Sequence, residues 1–309
     1  MSAIVTLTVN PALDIATATK CLMPEIKLRC EEPRYDPGGG GINVARAVHL
    51  LGGEALAVFP SGGASGQMLQ GLLGQEHVPQ IPVPVGGITR ESLAVIDRQT
   101  GRQYRFVLPG PPLAAAELER LIETLAAHAA GAAFIVASGS LPPGVPADFY
   151  SRVAGLAAGC GARFALDSSG EALTRTAGRI FLIKASQREL EELHGRAIAG
   201  EAAQEAAVHA LVAAGRCEVL VVSLGAAGGL LATIEGCRRF PAPAVPALSS
   251  IGAGDSMMAG ILVSLQRGRP LTEAVRFGIA AGAAALLRPG TELCRSEDAE
   301  RLYREMAPA

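Results

Sequence analysis

Phe134-Ile135-Val136-Ala137-Ser138 is followed by Gly139-Ser140-Leu141-Pro142-Pro143-Gly144, a helical pattern over residues 147–158, and then Phe164-Ala165-Leu166-Asp167. A short apolar run, a glycine–proline turn, a segment of helical period and a second apolar run make up the unit of a parallel sheet. A strand that is apolar along its whole length has both faces covered, and ligands bind beyond the carboxyl ends of such strands.

The same alternation extends in both directions. Residues 4–9, 55–60, 180–183 and 219–223 read as further buried strands. Helices are predicted over 42–51, 67–75, 115–129, 187–193, 202–214, 254–266, 271–287 and 297–305. The fold class is therefore α/β, a mostly parallel central sheet with helices on both faces. Two pieces break the pattern. Residues 12–35 are polar and irregular, with extended bits at 16–18 and 27–30. Residues 92–108 read as a hairpin turning at Gln99-Thr100-Gly101. Together they can form a small sheet projecting as a lid or a dimer surface; a plain surface hairpin fits the pattern equally well.

With 309 residues the chain is long enough for a large α/β domain. A net charge of −2 gives no electrostatic case for nucleic acid or an anionic membrane. Nearly all basic residues are arginine; Lys20, Lys27 and Lys184 are the only lysines, which draws attention to the last two. Six cysteines contain no C-x-x-C pair and five histidines are scattered, so no zinc constellation can be built from local spacing. The N-terminus enters a strand-like run at once, without a basic segment and apolar stretch. The longest apolar stretch, 277–287, is too short for a bilayer. The expectation is a cytoplasmic protein with no nucleic-acid or membrane partner.

The chemistry is concentrated at strand ends. Ile251-Gly252-Ala253-Gly254-Asp255-Ser256-Met257-Met258 sets an aspartate where a helix begins. A helix N-terminus attracts anions, so a carboxylate beside it suggests a base next to a phosphoryl group. Taken alone, the stretch reads equally well as an aspartate capping an ordinary helix. Pro37-Gly38-Gly39-Gly40-Gly41-Ile42-Asn43 is a four-glycine turn opening another helix, a place for something to approach the main chain closely. Asn43 can bond a sugar hydroxyl or a phosphate oxygen. Neither a dinucleotide fingerprint nor a P-loop is present. Asp14 follows the first strand, where a carboxylate can bind two vicinal hydroxyls or cap a turn. The segments beginning at Ser138, Lys184 and Ser223 occupy the same relative position, and five such motifs on one rim are hard to assign to chance.

Five segments occur in this order: 37–46, 138–144, Asp167-Ser168-Ser169-Gly170-Glu171-Ala172-Leu173, 222–225 and Gly252-Ala253-Gly254-Asp255. Together they resemble the ribokinase-like sugar kinases of the phosphofructokinase B family, essentially end to end. Thr6-Leu7-Thr8-Val9-Asn10-Pro11-Ala12-Leu13-Asp14 and the four-glycine turn are similar to the phosphosugar branch. Residues 27–30, 103–107, 167–173 and 275–278 are most similar to its 6-phosphofructokinases.

The resemblance implies a single ribokinase-like domain over 1–309, three layers α/β/α, with a small β-sheet lid from about 12–36 and 88–110 that pairs two subunits. It implies transfer of the ATP γ-phosphoryl to the C1 hydroxyl of fructose 6-phosphate. The alternatives are a kinase for fructose 1-phosphate or tagatose 6-phosphate, and a non-catalytic sugar-phosphate sensor of the same fold. Asp255 becomes the catalytic base, and the amides of Gly252, Ala253 and Gly254 the anion hole. Asp14, Lys27, Gly39, Gly40, Asn43, Arg90, Arg105 and Ser138 become sugar-phosphate ligands, with Arg90 facing the 6-phosphate. Lys184, Ser186, Ser223, Gly225 and Gly228 line the ATP site. Magnesium comes with ATP and meets Glu189 through water; Ser249, Ile251 and Gly290 bracket a potassium loop. The chain departs from the family at Lys184-Ala185-Ser186, where proline and asparagine usually follow the lysine. Arg288 and Glu292 are departures in the cation loop.

Overall fold

The computed structural model describes residues 4–306. In chain order it runs β1 (Ile4–Leu7), β2 (Ala12–Thr19), β3 (Arg34–Gly38), α1 (Gly40–Leu50), β4 (Ala55–Ser61), α2 (Gly63–Gln75) and β5 (Gln80–Pro84). Next come β6 (Arg90–Asp97), β7 (Gln103–Val107), α3 (Ala115–His128), β8 (Phe134–Ser138), α4 (Phe149–Gly159), β9 (Arg163–Asp167) and α5 (Gly170–Thr174). The remainder is β10 (Leu182–Ser186), α6 (Gln187–His194), α7 (Glu201–Ala213), β11 (Val219–Ser223), β12 (Gly229–Thr233), β13 (Gly236–Phe240), α8 (Ala253–Gln266), α9 (Leu271–Leu286) and α10 (Ser296–Glu305).

Nine strands form one sheet in the order β13-β12-β11-β10-β9-β8-β1-β4-β5, parallel from β11 to β5, with β12 and β13 antiparallel at one edge. Period-two alternation feeds two cores. Phe134 and Val136 of β8 and Val219 and Val221 of β11 join the core beneath α1, α8 and α9. Ile135, Ala137, Leu220 and Val222 join the core beneath α3, α4 and α7. Three layers result, as expected. Strand order reverses between β1 and β8, and that reversal opens a crevice at their carboxyl ends.

The second sheet has the order β3-β2-β6-β7, with β2 and β6 parallel and both outer pairs antiparallel. The irregular segment 12–35 thus supplies a regular strand at β2, and the predicted hairpin becomes β6 and β7. Register places Asp14 opposite Ser92 and Asp36, and Ala94 opposite Arg105. With side chains alternating along each strand, Asp14, Asp36, Arg34, Arg90 and Arg105 share one face. Leu13, Ile15, Tyr35, Leu93, Val95, Tyr104 and Phe106 share the other.

The remaining differences have local causes. β5 was not expected because Pro82 and Pro84 withhold two N–H groups; it is tolerated as a sheet edge. β10 begins at Leu182 and not at residue 180, and continues to Ser186, carrying Lys184 into the sheet. No helix among the described residues is long and apolar enough to cross a membrane.

Candidate active site

Three glycine-containing turns meet at the reversal of strand order. The four-glycine turn carries the chain from β3 into α1, with Gly39 at φ 109°. A side chain at Gly40 would put its Cβ 2.3 Å from Ser138 Oγ and 2.8 Å from the Gly139 amide. Only glycine lets the start of α1 touch the end of β8. Thr8 then accepts the Ile42 amide at 2.7 Å, fastening α1 to the end of β1.

α8 begins against the same place. Gly252, its N-cap, is left-handed at φ 74°, and the first-turn amides of a helix have no partner within it. A Cβ at Gly254 would lie 2.7 Å from Lys184 Nζ, so the lysine is seated directly against the amide cradle. Lys184 pairs with Asp167 at 2.7 Å, both nearly buried. Burial works against the lysine's charge, but Asp167, Asp255 and Glu189 hold its pKa above the usual lysine range. The result is a fixed positive charge beside amide donors, suited to phosphate oxygens.

Asp255, in the first turn of α8, accepts a hydrogen bond from Asn43 Nδ2 at 3.0 Å. Desolvation, helped by Asp167 and opposed by Lys184 and Asn43, raises its pKa to about 6. Asp14 is also raised to about 6 by burial, against the pull of Arg90 and Arg105. Two carboxylates held near 6 in one cleft are suited to proton transfer and hydroxyl binding near neutral pH.

Arg90 donates to Leu108 O at 3.1 Å and Asn10 O at 3.2 Å. It borders a cavity of about 600 Å³ shared with Asn10, Ser140, Ser169 and Glu171. Asn43 and Asp14 thus act on Asp255 directly, Arg90 and Arg105 act on Asp14, and Gly39 and Gly40 open the helix of Asn43 against Ser138. Lys27 does not join them; it is exposed on the connection between β2 and β3.

Beyond Lys184, the predicted nucleotide residues Ser186, Ser223 and Gly225 line a second cavity of about 480 Å³ with Arg188, Gln204 and Arg239. Gly228, at φ 92°, closes the turn after β11 by donating to Gly225 O at 3.0 Å. Ser186 and Glu189 cap α6 reciprocally: Glu189 N donates to Ser186 Oγ at 3.3 Å, and Ser186 N to Glu189 Oε2 at 2.7 Å. That bond uses only part of the carboxylate's acceptor capacity, so the donor set suits a hydrated magnesium ion on a nucleotide. In the expected cation loop, Ser249 Oγ donates to Gly290 O at 2.7 Å and accepts from Ile251 N at 3.2 Å. Arg288 turns away to Asp298, and Glu292 accepts from Arg34 at 2.7 Å.

Several residues of the site were not found by sequence reasoning. Asp167 as partner of Lys184 is one; Arg46, Asp36 and Glu76 are others. Arg46 is 4% exposed and grips Glu76 through two bonds of 2.6 Å. The available signal was its place three residues after Asn43, on the same side of α1.

Known proteins are similar to this chain in sequence and fold. The family model for pfkB family carbohydrate kinases matches residues 9–298. An ATP-dependent 6-phosphofructokinase isozyme 2 from Mycobacterium tuberculosis is 52% identical over 300 residues, 97% of this chain and 88% of the relative. Phosphofructokinase-2 from Escherichia coli, solved in complex with fructose-6-phosphate, superposes with TM-score 0.93 at 43% identity, covering 99% of each chain. The same enzyme solved in complex with potassium gives TM-score 0.95 over the same shares. The chain belongs to the pfkB family of carbohydrate kinases.

Proposed function

We propose that this kinase transfers the γ-phosphoryl of ATP to the C1 hydroxyl of fructose 6-phosphate, giving fructose 1,6-bisphosphate. The single observation that carries the reading is Asp255 beside the α8 amide cradle, within one cleft with Asp14, Asn43, Arg90 and Arg105. Relatives named 6-phosphofructokinase at 52% and 43% identity support the choice of sugar.

Asp255 accepts the hydroxyl proton as attack on phosphorus develops, a role worth ~10²–10⁴-fold in rate. The amides of Gly252, Ala253 and Gly254, with Lys184 behind them, take up the charge on the transferring group. Asp14, Gly39, Gly40, Asn43 and Ser138 hold the sugar hydroxyls. Arg90, with Arg105, binds the phosphate end and contributes orientation. Ser186, Ser223, Gly225 and Gly228 line the nucleotide's place. Magnesium bound with ATP, held through water by Glu189, supplies charge neutralisation. Potassium beside Ser249, Ile251 and Gly290 belongs to the same reading, as does a cytoplasmic location.

In this reading one kinase domain carries a lid built from about 12–36 and 88–110. Its outer face, with Phe106 at 49% exposure and Tyr35 at 36%, pairs with a second copy of the chain.

The test is ADP formation with fructose 6-phosphate, fructose 1-phosphate and tagatose 6-phosphate, with and without potassium. Fructose 6-phosphate should give the highest kcat/KM, and no ADP with any of the three would defeat the reading. Asp255→Asn should lower kcat at least ~10²-fold with substrate binding nearly unchanged. Because the base must be ionised, wild-type turnover should fall as pH drops through about 6. The stability sign is opposite. With its pKa raised on folding, Asp255 binds a proton in the native state that the unfolded chain releases, so it costs stability as pH rises through that window. Asp255→Asn should therefore be about 1–2 kcal/mol more stable than wild type at pH 7.

A further inference from the structure

Asn43 is the group that donates to Asp255, and a carboxamide has two ends of nearly equal shape. Something must decide which end faces the aspartate. Arg46, one turn further along α1, donates from Nη1 to Asn43 Oδ1 at 3.3 Å and to Pro37 O at 2.9 Å. Its Nε and Nη2 grip Glu76, just past the end of α2, at 2.6 Å each. Asp36 of β3 lies 4.0 Å away. A guanidinium carries donors only, so the end of Asn43 facing it must be the oxygen. Turned over, the amide would set donor against donor at Arg46 and acceptor against acceptor at Asp255.

We propose that Arg46 is a positioning residue for phosphoryl transfer: it locks the Asn43 carboxamide so that Nδ2 donates to Asp255, and Glu76 in turn locks Arg46. The proposal rests on the reading of Asp255 as base.

The consequence follows from what surrounds Asp255. Asp167 from β9 and Asp14 from β2 disfavour its charge, as burial does; Lys184 from β10 and Asn43 from α1 favour it. Losing the oriented donor removes one of two groups that keep the carboxylate ionised near neutral pH. Arg46 also favours ionisation of Asp14 directly, from a distance. That second effect falls on sugar binding and is read in KM.

The experiment is the pH dependence of kcat for wild type, Arg46→Met, Asn43→Ala and the double variant. Arg46→Met should move the acid limb up by about one pH unit, with kcat recovering toward wild type at high pH. Asn43→Ala should move it similarly, and adding Arg46→Met should move it no further, because Arg46 acts through Asn43. A pH-independent fall in kcat, or limb shifts that add in the double variant, would overturn the proposal. If Arg46→Met does not fold, Glu76→Gln replaces it, with a smaller shift in wild type and none in the Asn43→Ala background. Failure of the underlying reading looks different, since Asp255→Asn would then keep its turnover.

Discussion

The two sheets obey opposite rules. In the nine-stranded sheet both faces are covered by the chain's own helices, and β8 and β11 are apolar at nearly every position. In the four-stranded sheet the faces differ. One carries Asp14, Asp36, Arg34, Arg90 and Arg105; the other carries Leu13, Val95, Tyr35 and Phe106, of which the last two remain exposed. The large sheet is completed by folding. The small one turns its charges toward the cleft and leaves apolar surface without a cover from this chain. In the proposed reading, rigid chemistry belongs to the first, and substrate grip and subunit pairing to the second.

The largest effect that would test this division is at Lys184. Lys184→Met leaves Asp167 buried without its partner and removes the charge behind the amide cradle. Turnover should fall about 10²-fold or more, and stability by about 3–5 kcal/mol at neutral pH. The stability loss should shrink as pH falls, because burial already raises the pKa of Asp167 and a protonated Asp167 needs no partner. Urea titrations at pH 5 and pH 8 measure this. An equal loss at both would mean that the pair contributes packing and not charge.

Phe106→Asp attacks the other sheet. It places a charge on the exposed outer face of β7, away from the core clusters. Subunit affinity should weaken at least about 10²-fold by sedimentation, KM for the sugar should rise, and the unfolding free energy of the protomer should hardly move. Unchanged association would remove the second copy as the cover of this face.

The same contrast explains what could be read from the sequence. Strands apolar throughout declare themselves, and β8 and β11 fall where expected to the residue. β12 and β13 did not, because β13 carries Arg238 and Arg239 at a sheet edge and the pair is antiparallel, outside the strand–helix rhythm. α5 is only five residues long and shows no periodicity. In the small sheet the hairpin was visible from its turn, but β2 showed only as the extended bit at 16–18, since Asp14, Thr17 and Thr19 interrupt any apolar run. Its alternation makes sense only once a charged cleft lies on one side. The site divides likewise. Asp255, Asp14 and Asn43 were legible because glycines and strand ends flag them. The Arg46–Glu76 grip was not, because its members are 30 residues apart and nothing local in either segment refers to the other.

The smallest expected effect lies at Ser186, on the rim of the large sheet. Its hydroxyl caps α6 by accepting the Glu189 amide, while Glu189 returns a bond to the Ser186 amide. Ser186→Ala removes the first bond and leaves the second, so the cost should be about 1 kcal/mol, the ordinary value of a cap. At this chain length that is a fall of roughly 2–4 °C in Tm. The side chain also borders the cavity assigned to the nucleotide, so KM for ATP should rise by a small factor. Subunit association should be untouched, because Ser186 lies in the nine-stranded sheet and Phe106 in the separate four-stranded one. A tenfold fall in kcat with Tm unchanged would reverse the assignment: Ser186 would then act on the phosphates, and the cap would be incidental to its role.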